Sequence, residues 1–168
     1  MLRRIRACAA LAVLMAAAHV SAETVRFPTI ETADLNGAPI TLPTGLPGER
    51  TLVIIGFARE QQATIDTWVE GLALKTGALA WLELPVIDNP GPIGRFAIDT
   101  GMRSGVPRGD RSHVVTLYTD KAAFKAALGI TSEAAIVTAV IDRTGAVLAR
   151  ATGPYDAAAG EALKAQLR

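Results

Sequence analysis

The run Thr51-Leu52-Val53-Ile54-Ile55-Gly56-Phe57 constrains this chain more than any other segment. It is too short for a typical helix and rich in β-branched residues. A continuous apolar run of that kind is expected of a central strand covered on both faces. Beyond a polar stretch, Ile65, Trp68, Val69 and Leu72 fall at i, i+3, i+4 and i+7, which places one apolar stripe on a helix. Gly77 is expected near its end, as the stop.

The same grammar repeats downstream. Ala80 to Ile87 reads as a strand whose far end Pro85 weakens. After the loop at Pro90 and Gly91, Pro92 suits the first turn of a helix with Ile93, Phe96 and Ala97 on one face, ending before Gly105. His113 to Thr119 is a third core strand. Asp120 caps a helix from Lys121 to Leu128, and Gly129 terminates it. Ala135 to Ile141, the turn Asp142-Arg143-Thr144-Gly145 and Ala146 to Arg150 form a hairpin. An Ala-rich helix from Tyr155 to Leu167 closes the chain. Upstream, Glu23 to Pro47 reads as an N-terminal β-hairpin turning at Asn36-Gly37, a dipeptide that supplies positive φ angles. The order is hairpin, then β-α-β-α-β-α-β-β-α. Right-handed crossovers between its parallel strands put helices on both faces of the sheet. The expected fold is an α/β three-layer sandwich with a mixed central sheet.

Residues 1–22 have a different character. Arg3, Arg4 and Arg6 precede an apolar run from Ala7 to Ala18, and Val20-Ser21-Ala22 resembles a cleavage site, so the segment reads as a secretory signal peptide. A run of 12 residues falls short of the roughly 20 a spanning helix needs, so no membrane span is expected after cleavage. A single domain, 23–168, is expected to follow in the periplasm or outside a bacterial cell. The signal holds three of the 17 basic residues and none of the 16 acidic ones, which leaves a net charge of −2. That balance gives no support to nucleic-acid binding. The signal also holds Cys8, the chain's one cysteine. The domain therefore has neither a disulfide framework nor a thiol centre.

The chain resembles the thioredoxin-like superfamily, in its peroxiredoxin- and redoxin-like branch. The resemblance is carried by the Asp34-to-Leu42 stretch, the Leu52-to-Phe57 strand with its following helix, and Ala139-Val140-Ile141-Asp142-Arg143-Thr144-Gly145, in that order. Gly101-Met102-Arg103, Thr116 to Asp120, Phe124, Leu128-Gly129-Ile130 and Asp142 with Gly145 are further similar to the Atp10-like assembly factors. That resemblance implies a thioredoxin fold without redox cysteines that serves in protein assembly. Enzymes of the superfamily carry one or two cysteines in the loop after the first core strand, and a cis-proline just before the strand leading to the Asp-x-x-Gly turn. Here the loop reads Ala58-Arg59-Glu60-Gln61-Gln62-Ala63-Thr64, and the proline position falls at or beside Ile136. A thiolate is the nucleophile of that chemistry. Neither feature is present.

Other chemistries have little material. His113, the only histidine after the signal, adjoins Ser112, but successive strand residues point to opposite faces, and one histidine cannot build a zinc site. No metal or cofactor is implied. The segment Gly101 to Arg111 reads as a glycine-rich loop whose Arg103, Arg108 and Arg111 could grip an anion, or, more simply, as a solvated connection. Arg59, Gln61 and Gln62 stand at the carboxyl end of a core strand, the edge where open α/β sheets bind ligands. They suit a remnant cleft, shared with Arg103, or an ordinary helix start. The leading expectation is a non-catalytic exported protein that binds or helps assemble another envelope protein, with no thiol-disulfide or peroxidase activity. The alternative is a binder of a small anion or metabolite, or a thiol-free enzyme, with an arginine-lined cleft.

Overall fold

A computed structural model describes residues 25–168. The signal segment and Cys8 lie outside them. The chain begins with strands β1 (Ile30–Ala33) and β2 (Pro39–Leu42), paired antiparallel as the expected hairpin. Its turn is closed by Asp34, whose Oδ1 accepts the Asn36 and Ala38 amides at 2.9 Å each. Gly37 alone takes the left-handed conformation, at φ +88°, so Asn36 does not contribute the second positive φ expected of the dipeptide.

The apolar run becomes β3 (Arg50–Gly56), followed by helix α1 (Gln62–Gly71) and strand β4 (Trp81–Asp88). Helix α1 stops six residues before Gly77, which closes a separate 3-10 turn, Leu74–Thr76. Helix α2 (Gly91–Gly105) leads through a second 3-10 segment, Arg108–His113, to the short β5 (Leu117–Thr119). The expected strand from His113 is thus cut to its last three residues. Pairing between β4 and the segment before β5 stops at the Glu83–Val114 bridge and resumes at Val86–Leu117. Pro85, which has no N–H to give, stands in the gap. Helix α3 (Lys121–Ala127), strands β6 (Val137–Asp142) and β7 (Val147–Thr152), and helix α4 (Ala157–Gln166) complete the chain. The α3 cap is as expected, with the Asp120 carboxylate accepting the Ala123 amide at 2.9 Å. Asp142 repeats the turn chemistry of Asp34, accepting from Thr144 and Ala146 at 2.8 and 3.0 Å.

The five-stranded sheet has the order β5-β4-β3-β6-β7, with β3, β4 and β5 parallel and β6 and β7 antiparallel. Alternate residues of β3 serve two cores. Val53 and Ile55 pack toward Phe124 of α3 and Leu128 just after it, while Leu52 and Ile54 pack toward Ile65 and Trp68 of α1 and Leu163 of α4. A strand buried on both faces needs this unbroken apolar run. The hairpin joins the β5 edge through the Asp34–Val115 bridge and a Thr32 hydroxyl bond to the Thr116 carbonyl at 2.7 Å.

At α2 the structure adds one fact and overturns one expectation. Ile93, Phe96 and Ala97 do share a face, and that face is turned to solvent, with Ile93 87% and Phe96 72% exposed. Arg95, Asp99, Met102 and Arg103 take the inward positions, meeting Tyr118, Thr116 and the Leu35 carbonyl through polar contacts. The glycine-rich loop is corrected. Gly101 and Gly105 lie within the helix, and the segment after it is held by Arg111, which donates to the Val106 carbonyl at 3.1 Å.

Candidate functional site

Strand β3 delivers the chain to the rim where an open α/β sheet presents its binding edge. After Phe57 the backbone is extended at Ala58, tightens into a 3-10 turn, Arg59–Gln61, and runs into α1. The Gln61 side chain folds back over this turn. Its Oε1 accepts the Phe57 amide at 2.7 Å and the Ala58 amide at 3.3 Å, while its Nε2 donates to the Glu133 carbonyl at 2.6 Å. An amide group can accept and donate at once, and this one does both.

Glu133 extends the latch. Its carboxylate takes Lys125 at 2.7 Å and Lys121 at 2.9 Å, both from α3. The Lys121 amide donates in turn to Asp88 at the end of β4, at 3.0 Å. Hydrogen bonds from Lys125 and then Lys121 hold the Glu133 carboxyl below the usual glutamate range. One network therefore ties together the ends of β3 and β4, the start of α3 and the approach to β6. Just beyond it, Ile136 is fully buried. The one cis peptide among the described residues is Leu42–Pro43, so the bond entering Ile136 is trans. The only sulfur among the described residues is the Met102 thioether, which accepts the Thr116 hydroxyl at 3.3 Å. A thioether cannot supply a thiolate.

The other candidate residues are dispersed. Arg59 is exposed on the turn, and Gln62 donates to Asp66 at 3.1 Å on α1. Arg103 spends its guanidinium internally, donating to the Leu35 carbonyl at 2.9 Å with Asp99 3.7 Å away. Arg108 is exposed on the segment before β5. His113 stacks on Trp81 with ring centroids 4.5 Å apart, and its Nδ1 lies 3.2 Å from the Trp81 carbonyl. Since Trp81 begins β4, His113 and Arg108 sit at the amino end of the parallel strands, opposite to Arg59, Gln61 and Gln62. The arginines do not line one cleft. A hollow of about 360 Å³ opens beside Arg50 and Arg168, and another of about 440 Å³ beside the hairpin, and none of these candidates lines either.

Sequence reasoning passed over Glu83. It stands in the middle of β4, on the face that carries α1, and is only 8% exposed. Burial pushes its carboxyl up from the ordinary value, with the Gln62 amide pulling the other way. An acid inside the apolar stretch Trp81 to Ile87 was the available signal. Trp81 Nε1 and Thr138 Oγ1 are also buried, without partners.

Comparison with solved structures shows a thioredoxin-like fold. The chain is similar to the exposed lipoprotein thioredoxin of Streptococcus pneumoniae, with a TM-score of 0.57 and 14% identity over 82% of this chain and 99% of that one. A thiol:disulfide interchange protein from Bacteroides sp. gives 0.56 and 12%, covering 86% and 89%. StoA from Bacillus subtilis gives 0.54 and 10%, covering 86% and 99%. At such identities the likeness is one of fold alone. No protein-family model matches the chain, and no curated protein matches it.

Proposed function

We propose that this chain is a non-catalytic, exported thioredoxin-like protein that binds or helps assemble another envelope protein. The observation that carries the reading is Gln61. At the rim where the superfamily keeps its reactive thiol, this side chain is bonded to Phe57, Ala58 and Glu133. The position holds the scaffold together and has no group for electron transfer. The buried, trans-linked Ile136 supports the same reading, because the partner proline is missing as well. The assembly role extends the resemblance to the Atp10-like factors, and the export rests on the signal-like residues 1–22. An anion gripped by Arg59, Arg103 and Arg108 is less favoured, since Arg103 already donates within its own chain.

Insulin reduction and peroxide consumption by the purified protein test the non-catalytic half. No turnover above a buffer control is expected, and turnover would overturn it. Crosslinking in cells followed by mass spectrometry tests the other half. One envelope protein recovered repeatedly is the expected result, and recovery of none would overturn the assembly role.

A further inference from the structure

Helix α2 carries its side chains inside out. Its charged residues turn toward the body of the domain, with Arg95 over the Tyr118 ring at 5.1 Å, Asp99 accepting the Tyr118 hydroxyl at 2.7 Å, and Arg103 donating to Leu35 at 2.9 Å. Ile93, Phe96, Ala97, Thr100, Gly101 and Ser104 all face water, and none carries a charge. A helix in water draws most of its stability from packing an apolar face. On α2 the inward side keeps only Ile98 and Met102 as half-buried apolar residues, while Ile93 and Phe96 on the outer face have nothing to pack on.

The exposed stripe is already prepared for burial. The Thr100 hydroxyl donates to the Phe96 carbonyl at 2.7 Å, and the Ser104 hydroxyl to the Gly101 carbonyl at 2.6 Å. Covering the stripe would leave neither hydroxyl without a partner, which removes the usual cost of burying polar groups. The stripe is also graded in size, large at one end and small at the other. A Cβ placed on Gly101 would meet nothing within 4 Å.

These features match a second copy of the same helix turned end for end. With a twofold axis between residues 98 and 99, Ile93 lies opposite Ser104, Phe96 opposite Gly101, and Ala97 opposite Thr100. Each large side chain meets a small one, no like charges face each other, and antiparallel helix dipoles attract. We propose that the outer face of α2 is the interface of a symmetric homodimer. A helix of 15 residues is about 22 Å long, and pairing two of them covers less than the roughly 1,200 Å² at which stable interfaces begin. The dimer is accordingly reversible and concentration-dependent. A lipid surface suits the stripe less well, because interfacial helices flank their apolar face with outward basic residues and Arg95 and Arg103 turn inward. The inference stands independently of the proposed function.

Sedimentation equilibrium on the protein as the cell processes it, between about 1 μM and 1 mM, tests the proposal. A monomer–dimer equilibrium is expected, with Phe96→Glu weakening it at least about 30-fold while the melting temperature of the dilute monomer stays put. Cysteines report the register, since none occurs among the described residues. A mixture of Ala97→Cys and Thr100→Cys chains should crosslink on oxidation more than either variant alone. A monomer throughout the range, or a dimer that Phe96→Glu leaves intact, would overturn the proposal. So would a monomer that binds anionic vesicles through Phe96.

Discussion

At the scale of the residue, Gln61 does what no thiol could do in its place. It satisfies two backbone donors and one backbone acceptor, and so closes the β3-to-α1 turn against the approach to β6. Removing the side chain in Gln61→Ala strands the Phe57 amide and the Glu133 carbonyl, both part-buried. Leaving such groups unpaired costs about 1–3 kcal/mol, and urea unfolding should show a loss of that size with an unchanged slope. Unchanged stability would mean that the latch holds nothing. The position of Gln61 was legible in the sequence, because it follows the strongest strand. Its bonding was not, because Glu133 lies 72 residues away and neither residue type signals the other.

At the scale of the element, most of the architecture could be read and one helix could not. The strands β3, β4 and β6 announced themselves through short β-branched runs, and α3 through the Asp120 cap and Gly129 stop. Periodicity reports that a helix has an apolar face, not what covers it, and so the outward turn of that face in α2 could not be read. Gly101 and Gly105 argued for a loop, whereas the inward bonds of Asp99 and Arg103 hold that stretch helical. Glycines in α4 and α1 have the opposite logic. The Tyr155 ring lies between them, and a Cβ would come within 2.6 Å of it at Gly160 and 2.5 Å at Gly71. An alanine in a helix usually gains up to about 1 kcal/mol over glycine. Gly160→Ala should instead destabilise by roughly 1–3 kcal/mol, since the ring also packs edge-on against Trp68 at 5.3 Å and cannot yield freely. A thermal melt gives the sign directly, and a raised midpoint would refute the tight packing.

At the scale of the whole molecule, three carboxyl groups oppose one another in setting how stability depends on pH. Glu83 has its folded pKa raised by burial, so its contribution is fully present below the ordinary glutamate value of 4.5 and is lost as pH rises through the raised value. Glu133, lowered by Lys125 and Lys121, behaves in the opposite sense. So does Asp142, lowered chiefly by the Thr144 hydroxyl from an ordinary 3.8. Their contributions are present above the ordinary carboxylate range and vanish as pH falls through the lowered values. Stability should therefore rise from neutral toward weakly acidic pH, then fall in stronger acid, with its maximum near the ordinary carboxylate range. Glu83→Gln keeps the shape and removes the charge. It should raise the unfolding midpoint at neutral pH and leave it nearly unchanged at pH values below 4.5, where the parent glutamate is already neutral. Urea unfolding across that range separates this account from a generic surface-charge effect, because surface repulsion is screened by salt and the desolvation of Glu83 is not. If the neutral limb of the parent curve stays flat, or if added salt abolishes the difference between the two proteins, Glu83 is not the group that sets it.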